Sequence, residues 1–108
     1  MTNVTRQVFV RPQARRDLLE IAEHIADASP AAAERFLDAF EDSVELIRRI
    51  PTIGALSDVR SARLTKLRVV ACRRFRKYVI LYRVQNDIEV IRVIHGSRDL
   101  GGVLDDAL

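Results

Sequence analysis

The sequence predicts an α+β fold: a short N-terminal strand, an antiparallel two-helix hairpin, and a mainly antiparallel sheet closed by a C-terminal three-stranded meander. Three observations carry this. Two amphipathic helical stretches follow one another with only Ser29-Pro30 between them. The runs Tyr78–Val84 and Ile88–His95 are rich in Val, Ile and Tyr and flank the polar Gln85-Asn86-Asp87, which is a β-hairpin signal. Helices gather in the first half and strands in the second, the mark of α+β rather than alternating α/β.

Each element has a local reason. Val8-Phe9-Val10 is short and apolar and leads into Arg11-Pro12, so it reads as a strand feeding a helix with proline at its first position. From Gln13 to about Asp27, Ala14, Leu18, Ile21, Ala22 and Ile25 form one helical stripe with charges on the other faces. Ser29 suits an N-cap and Pro30 a first turn. The second helix runs to about Ile50, with Ala33, Phe36, Leu37, Phe40, Val44 and Ile47 turned inward and Glu45 four residues before Arg49. Pro51 and Gly54 end it. Such a short link folds the helices back on each other, and their apolar faces then need a sheet to cover.

Residues 51–63 read as a loop, and Leu64 to Cys72 as a strand. Arg73-Arg74-Phe75-Arg76-Lys77 is a basic turn before the hairpin, and 99–108 suggest at most a short helix weakened by Gly101-Gly102. With a two- or four-residue hairpin turn, Ile80, Tyr82, Val84, Ile91, Val93 and His95 share the face that meets the helices. Arg83 and Arg92 then lie with Val79, Leu81, Val90 and Ile94 on an uncovered face, where they either meet an acidic partner or pair with Glu89 or a carboxylate of the tail. A three-residue turn breaks that assignment.

The 108 residues form a single domain, 1–108, with no repeat or linker. No apolar run reaches membrane-spanning length and no apolar leader opens the chain, so a cytoplasmic protein with no membrane role is expected. The single cysteine, Cys72, allows neither an internal disulfide nor a cysteine zinc cluster and reads as a core residue. Two histidines without clustered carboxylates point to no catalytic metal and no cofactor. The net charge of +3 conceals an asymmetry: residues 1–58 hold seven bases and ten acids, residues 59–98 eleven bases and two acids. Between Val59 and Lys77 stand eight bases and no acid. That block implies an anionic partner, either nucleic acid or an acidic protein segment.

The ordered set Arg11-Pro12-Gln13-Ala14, Asp17-Leu18, Pro30…Ala33…Phe36, Ile50-Pro51…Gly54, Tyr78…Tyr82-Arg83-Val84 and Ile91…Ile94-His95-Gly96…Arg98-Asp99 resembles the RelE/ParE superfamily of type II toxins, over about Val8 to Asp99. The resemblance is closer to the ParE branch, because Val79 stands where RelE itself has an arginine and no tyrosine follows Tyr82. It implies a toxin that inhibits DNA gyrase, and so replication, without being an enzyme. It also implies a cognate antitoxin, ParD-like with an acidic C-terminal segment, held in a toxin–antitoxin hetero-oligomer. The candidate antitoxin- or target-binding residues are Arg68, Arg73, Arg74, Arg76, Arg83, Arg92 and Arg98. The alternative is a RelE-like ribosome-dependent mRNA endoribonuclease. It would use His95 as acid or base with Arg68 and Arg98 as cationic support; the structural reading of His95 is a strand stop bonded to the adjacent turn. A third reading is a degenerate member that only binds its antitoxin.

Overall fold

The computed structural model describes residues 6–57 and 66–97. Strand β1 spans Val8–Val10, helix α1 Pro12–Ala28, helix α2 Pro30–Arg49, β2 Ala55–Leu56, β3 Arg68–Ala71, β4 Tyr78–Val84 and β5 Ile88–His95. The five strands form one sheet in the order β1-β5-β4-β3-β2. β1 runs parallel to β5, and the other pairings are antiparallel. The expected α+β architecture, with β1 at one side and the β3-β4-β5 meander, is the one observed.

Ser29 alone joins the helices. Its amide closes α1 on the Ile25 carbonyl at 2.9 Å, and its Oγ accepts from the Ala32 amide at 3.1 Å, capping α2. Such a cap contributes about 1 kcal/mol. The extended backbone of Ser29 (φ −158°, ψ 106°) reverses the chain in a single residue. Arg48 and Arg49 sit in the last turn of α2, where positive charge complements the helix dipole.

The helices cover one sheet face. Phe36, Phe40, Val44 and Ile47 of α2 and Ala14 of α1 are buried, with Leu18, Ile21 and Ile25 half-buried beside them. Leu37, expected inside, is exposed. The inward stripe of α2 is instead completed by the small residues Ala39 and Ser43, which allow close approach to the sheet. Glu45 pairs with Arg48 three residues on, at 3.1 Å, rather than with Arg49.

Two expectations about the strands are corrected. The 51–63 segment carries β2, whose Ala55 and Leu56 pair with Val69 and Arg68. β3 begins at Arg68 because Lys66 has a left-handed backbone (φ 56°) that breaks the extended run. Its proposed first residues, 64 and 65, and the helix suggested for 99–108 lie outside the described residues.

The hairpin turn has three residues, so Val84 faces Ile88, Arg83 faces Glu89 and Tyr82 faces Val90. A β-bulge then inserts Ile91, after which Leu81 faces Arg92, Val79 faces Ile94 and Tyr78 faces His95. The facial assignment from sequence therefore holds along β4 and beyond the bulge in β5, and fails at Val90 and Ile91. Val90 packs with the helix-side core, and Ile91 joins Leu67, Leu81 and Ile94 on the opposite side. Nor is that opposite face open, since Leu67, Leu81, Ile91 and Ile94 are at most 2% exposed.

Candidate functional site

The arginines predicted to bind a partner divide into two groups. Arg68 donates from Nη1 to the Gly54 carbonyl at 2.7 Å, tying down the segment before β2. Arg83 reaches Glu89 Oε1 at 2.8 Å, and Arg11 brackets the same carboxylate at 3.1 Å. Arg92 is buried and grips both oxygens of Asp17 on α1, at 2.7 and 2.9 Å. The expectation of Arg92 as an open socket fails for a physical reason. β1 stops at Val10, and the Asp17 carboxylate takes over the exposed edge of β5 by also accepting the Val93 amide at 3.0 Å. Arg68, Arg83 and Arg92 are thus occupied within the fold.

Glu89 shows the balance of terms. Burial alone would push its carboxyl upward, but the hydrogen bonds and charges of Arg11 and Arg83 outweigh that and hold it below the usual carboxylate range. A folded-state value below the unfolded one gives stability that is full above the unfolded carboxylate value and lost as pH falls through the folded one. The stability difference between the native chain and Glu89→Gln, measured by urea unfolding, will therefore shrink as pH drops below about 4.

The second group stands on the basic turn between β3 and β4. Arg73, Arg76 and Lys77 are exposed, and their side chains have no ion pair among the described residues. Arg74 meets Asp42 of α2 at 2.6 Å, a pair about half exposed on both sides. Arg74 also has a left-handed backbone (φ 64°), a conformation that costs a non-glycine residue on the order of 1 kcal/mol. An exposed ion pair contributes about 0–1 kcal/mol and does no more than offset that strain. Arg98 lies outside the described residues.

Beside this turn opens a cleft of about 600 Å³, bounded by the α1–α2 junction and the start of β4. Ile25, Ala28, Ala32, Phe75 and Tyr78 give it an apolar floor, and Arg74, Arg76 and Lys77 form its rim. Phe75 and Tyr78 are fixed by edge-to-face contacts with Phe36, both at 5.4 Å between ring centres. A smaller cleft of about 340 Å³ continues along α1 past His24 and Tyr78 to His95. A further groove beside β1 carries Arg6, Arg15 and Arg48, but Glu41 lines it too and Glu45 pairs with Arg48.

His95 ends β5. Its Nδ1 accepts the Ser97 amide at 3.2 Å, lies 2.7 Å from Ser97 Oγ, and its ring stacks edge-on against Tyr78. This is the arrangement of a strand stop. Arg68 faces Tyr82 while His95 faces Tyr78, so they lie four residues apart along β4, about 13 Å at the rise of a strand. The structure does not bring these two members of the ribonuclease set together. Cys72 is fully buried, and burial raises its thiol pKa despite a contact with Ser43 and the charge of Arg74; it is a core residue. Among the described residues no three His, Cys, Asp or Glu side chains form a metal-binding group, and no helix is long and apolar enough to cross a membrane.

No curated protein matches the chain in sequence. A family model does: the ParE toxin of type II toxin–antitoxin systems, parDE, matches residues 8–100. The chain belongs to the ParE toxin family. The same fold occurs in a solved structure described as the chromosomal ParDE toxin–antitoxin system of P. aeruginosa, with a TM-score of 0.67 at 18% identity, covering 84% of this chain and 96% of that one. Sequence reasoning on this ParE-family chain missed the cleft's aromatic floor, because Phe75 and Tyr78 read as parts of a turn and a strand. It also missed Asp17 as a partner for Arg92. The available signal was a carboxylate set in the apolar stripe between Ala14 and Leu18.

Proposed function

We propose that this ParE-family toxin inhibits DNA gyrase and is neutralised by a cognate antitoxin that lays an acidic, amphipathic segment into the cleft beside the basic turn. The observation that carries the antitoxin reading is the pairing of an apolar aromatic floor with the exposed cations Arg76 and Lys77 at its rim, which have no ion pair among the described residues. Apolar side chains of the partner would fill the floor, and its acids would meet the rim during encounter. The gyrase reading rests on membership of the ParE branch.

Purified chain is expected to inhibit supercoiling by gyrase, with relief on adding the antitoxin. Arg76→Glu/Lys77→Glu is expected to slow antitoxin association about tenfold at low salt, because steering by opposite charge acts on the encounter rate. Ribosome-dependent mRNA cleavage that disappears in His95→Ala would overturn the gyrase reading in favour of a ribonuclease.

A further inference from the structure

Within the described part of the sheet half, four of the eight cations have internal partners: Arg68 on Gly54, Arg74 on Asp42, Arg83 on Glu89, Arg92 on Asp17. Of the other four, Lys66 stands apart before β3, and Arg73, Arg76 and Lys77 are exposed together on one five-residue turn. The described residues with left-handed backbone other than glycine are Lys66 and Arg74. Both belong to the same acid-free block, so a cation stands at each position where glycine would be less strained.

Exposed cations of this kind speed the encounter with an acidic protein segment but add little to its affinity, because water screens both charges. They gain far more from a polyanion, where each neutralised phosphate releases condensed counterions into solution. That difference selects the partner. We propose that Arg73, Arg76 and Lys77 contact the phosphate backbone of duplex DNA, so that the toxin engages DNA directly rather than through gyrase alone. The proposal deepens the gyrase reading and rests on it for its biological setting. Gyrase works on duplex DNA, and an antitoxin seated in the adjoining cleft would cover the same rim. Neutralisation would then be competition between a polyanion and an acidic segment for one set of cations.

The test is fluorescence anisotropy of the full chain on a labelled duplex of about 20 base pairs, across a salt series. Three phosphate contacts give a log–log slope of about −2.7, so affinity falls about 40-fold between about 50 and 200 mM salt. Arg73→Ala/Arg76→Ala/Lys77→Ala should flatten the slope to less than about 1 in magnitude, and Arg73→Lys/Arg76→Lys should preserve it. Because these side chains are exposed, the melting temperature should be unchanged in both variants. A wild-type slope smaller than about 1 in magnitude, or a triple-alanine variant with the wild-type slope, would overturn the DNA contact. Gyrase inhibition without DNA binding sinks this proposal and leaves the gyrase reading intact. DNA binding without gyrase inhibition does the reverse.

Discussion

Replacing Asp17 with alanine is expected to lower the unfolding free energy by about 3–5 kcal/mol, because it leaves the Arg92 guanidinium as a buried charge without its carboxylate. Asp17 is 5% exposed and Arg92 7%. The carboxylate also accepts the Val93 amide, so the substitution strips a backbone donor at a sheet edge as well. At about 4 °C per kcal/mol for a domain of this size, the melting temperature should fall by roughly 12–20 °C. Arg92→Leu in the Asp17→Ala background removes the buried charge that has lost this carboxylate and should recover most of the loss. The remainder should be the 1–3 kcal/mol or so of the unpaired Val93 amide. Urea unfolding of the two single variants and the double variant gives the coupling directly. A double variant no more stable than Asp17→Ala would mean that the pair is not what holds α1 against β5.

Gly54→Ala is the second large effect. A Cβ at Gly54 would lie 2.7 Å from Tyr82 Oη and 2.8 Å from its Cε1. Tyr82 is fully buried and has nowhere to move. Its hydroxyl accepts the Gly54 amide and donates to the Pro51 carbonyl, both at 2.8 Å. Overpacking costs about 1–3 kcal/mol, and losing each of the two hydrogen bonds adds about 1, giving a loss of roughly 3–5 kcal/mol. Tyr82→Phe alone should cost about 1–3 kcal/mol by orphaning two backbone groups. Combined, the two should cost less than their sum, since the hydroxyl that collides and the hydroxyl that bonds are one atom. Strict additivity in equilibrium unfolding would refute this account of Gly54.

The helices were legible because their signals are local: a 3.6-residue stripe, a proline at each first position and a serine able to cap. The pairing of β4 with β5 was legible beyond Leu81, where the period of two holds. What escaped depends on partners distant in sequence. Arg92 and Arg83 looked alike in the sequence, each a cation in an apolar run, yet one is buried against α1 and the other bonds across its own hairpin. Nothing between residues 83 and 92 announces that Asp17 will arrive from 75 residues away. The cleft has the same origin. Its floor is assembled from a helix junction and a turn, so no single stretch of sequence contains it. The basic turn was visible as charge, while the exposure of Arg73, Arg76 and Lys77 became visible only in the fold, where Arg68, Arg83 and Arg92 turn to internal partners.

The bulge at Ile91 changes how length variation should be viewed. Between the paired residues Leu81 and Arg92 lie ten residues, an even number divided among three facing pairs, a three-residue turn and one surplus. A copy one residue shorter in this interval can close the same hairpin by dropping the surplus, with the pairs on either side undisturbed. A copy one residue longer has no such slack. The hairpin therefore carries a one-residue allowance for deletion, and the charge of holding it falls on the buried side chain of Ile91.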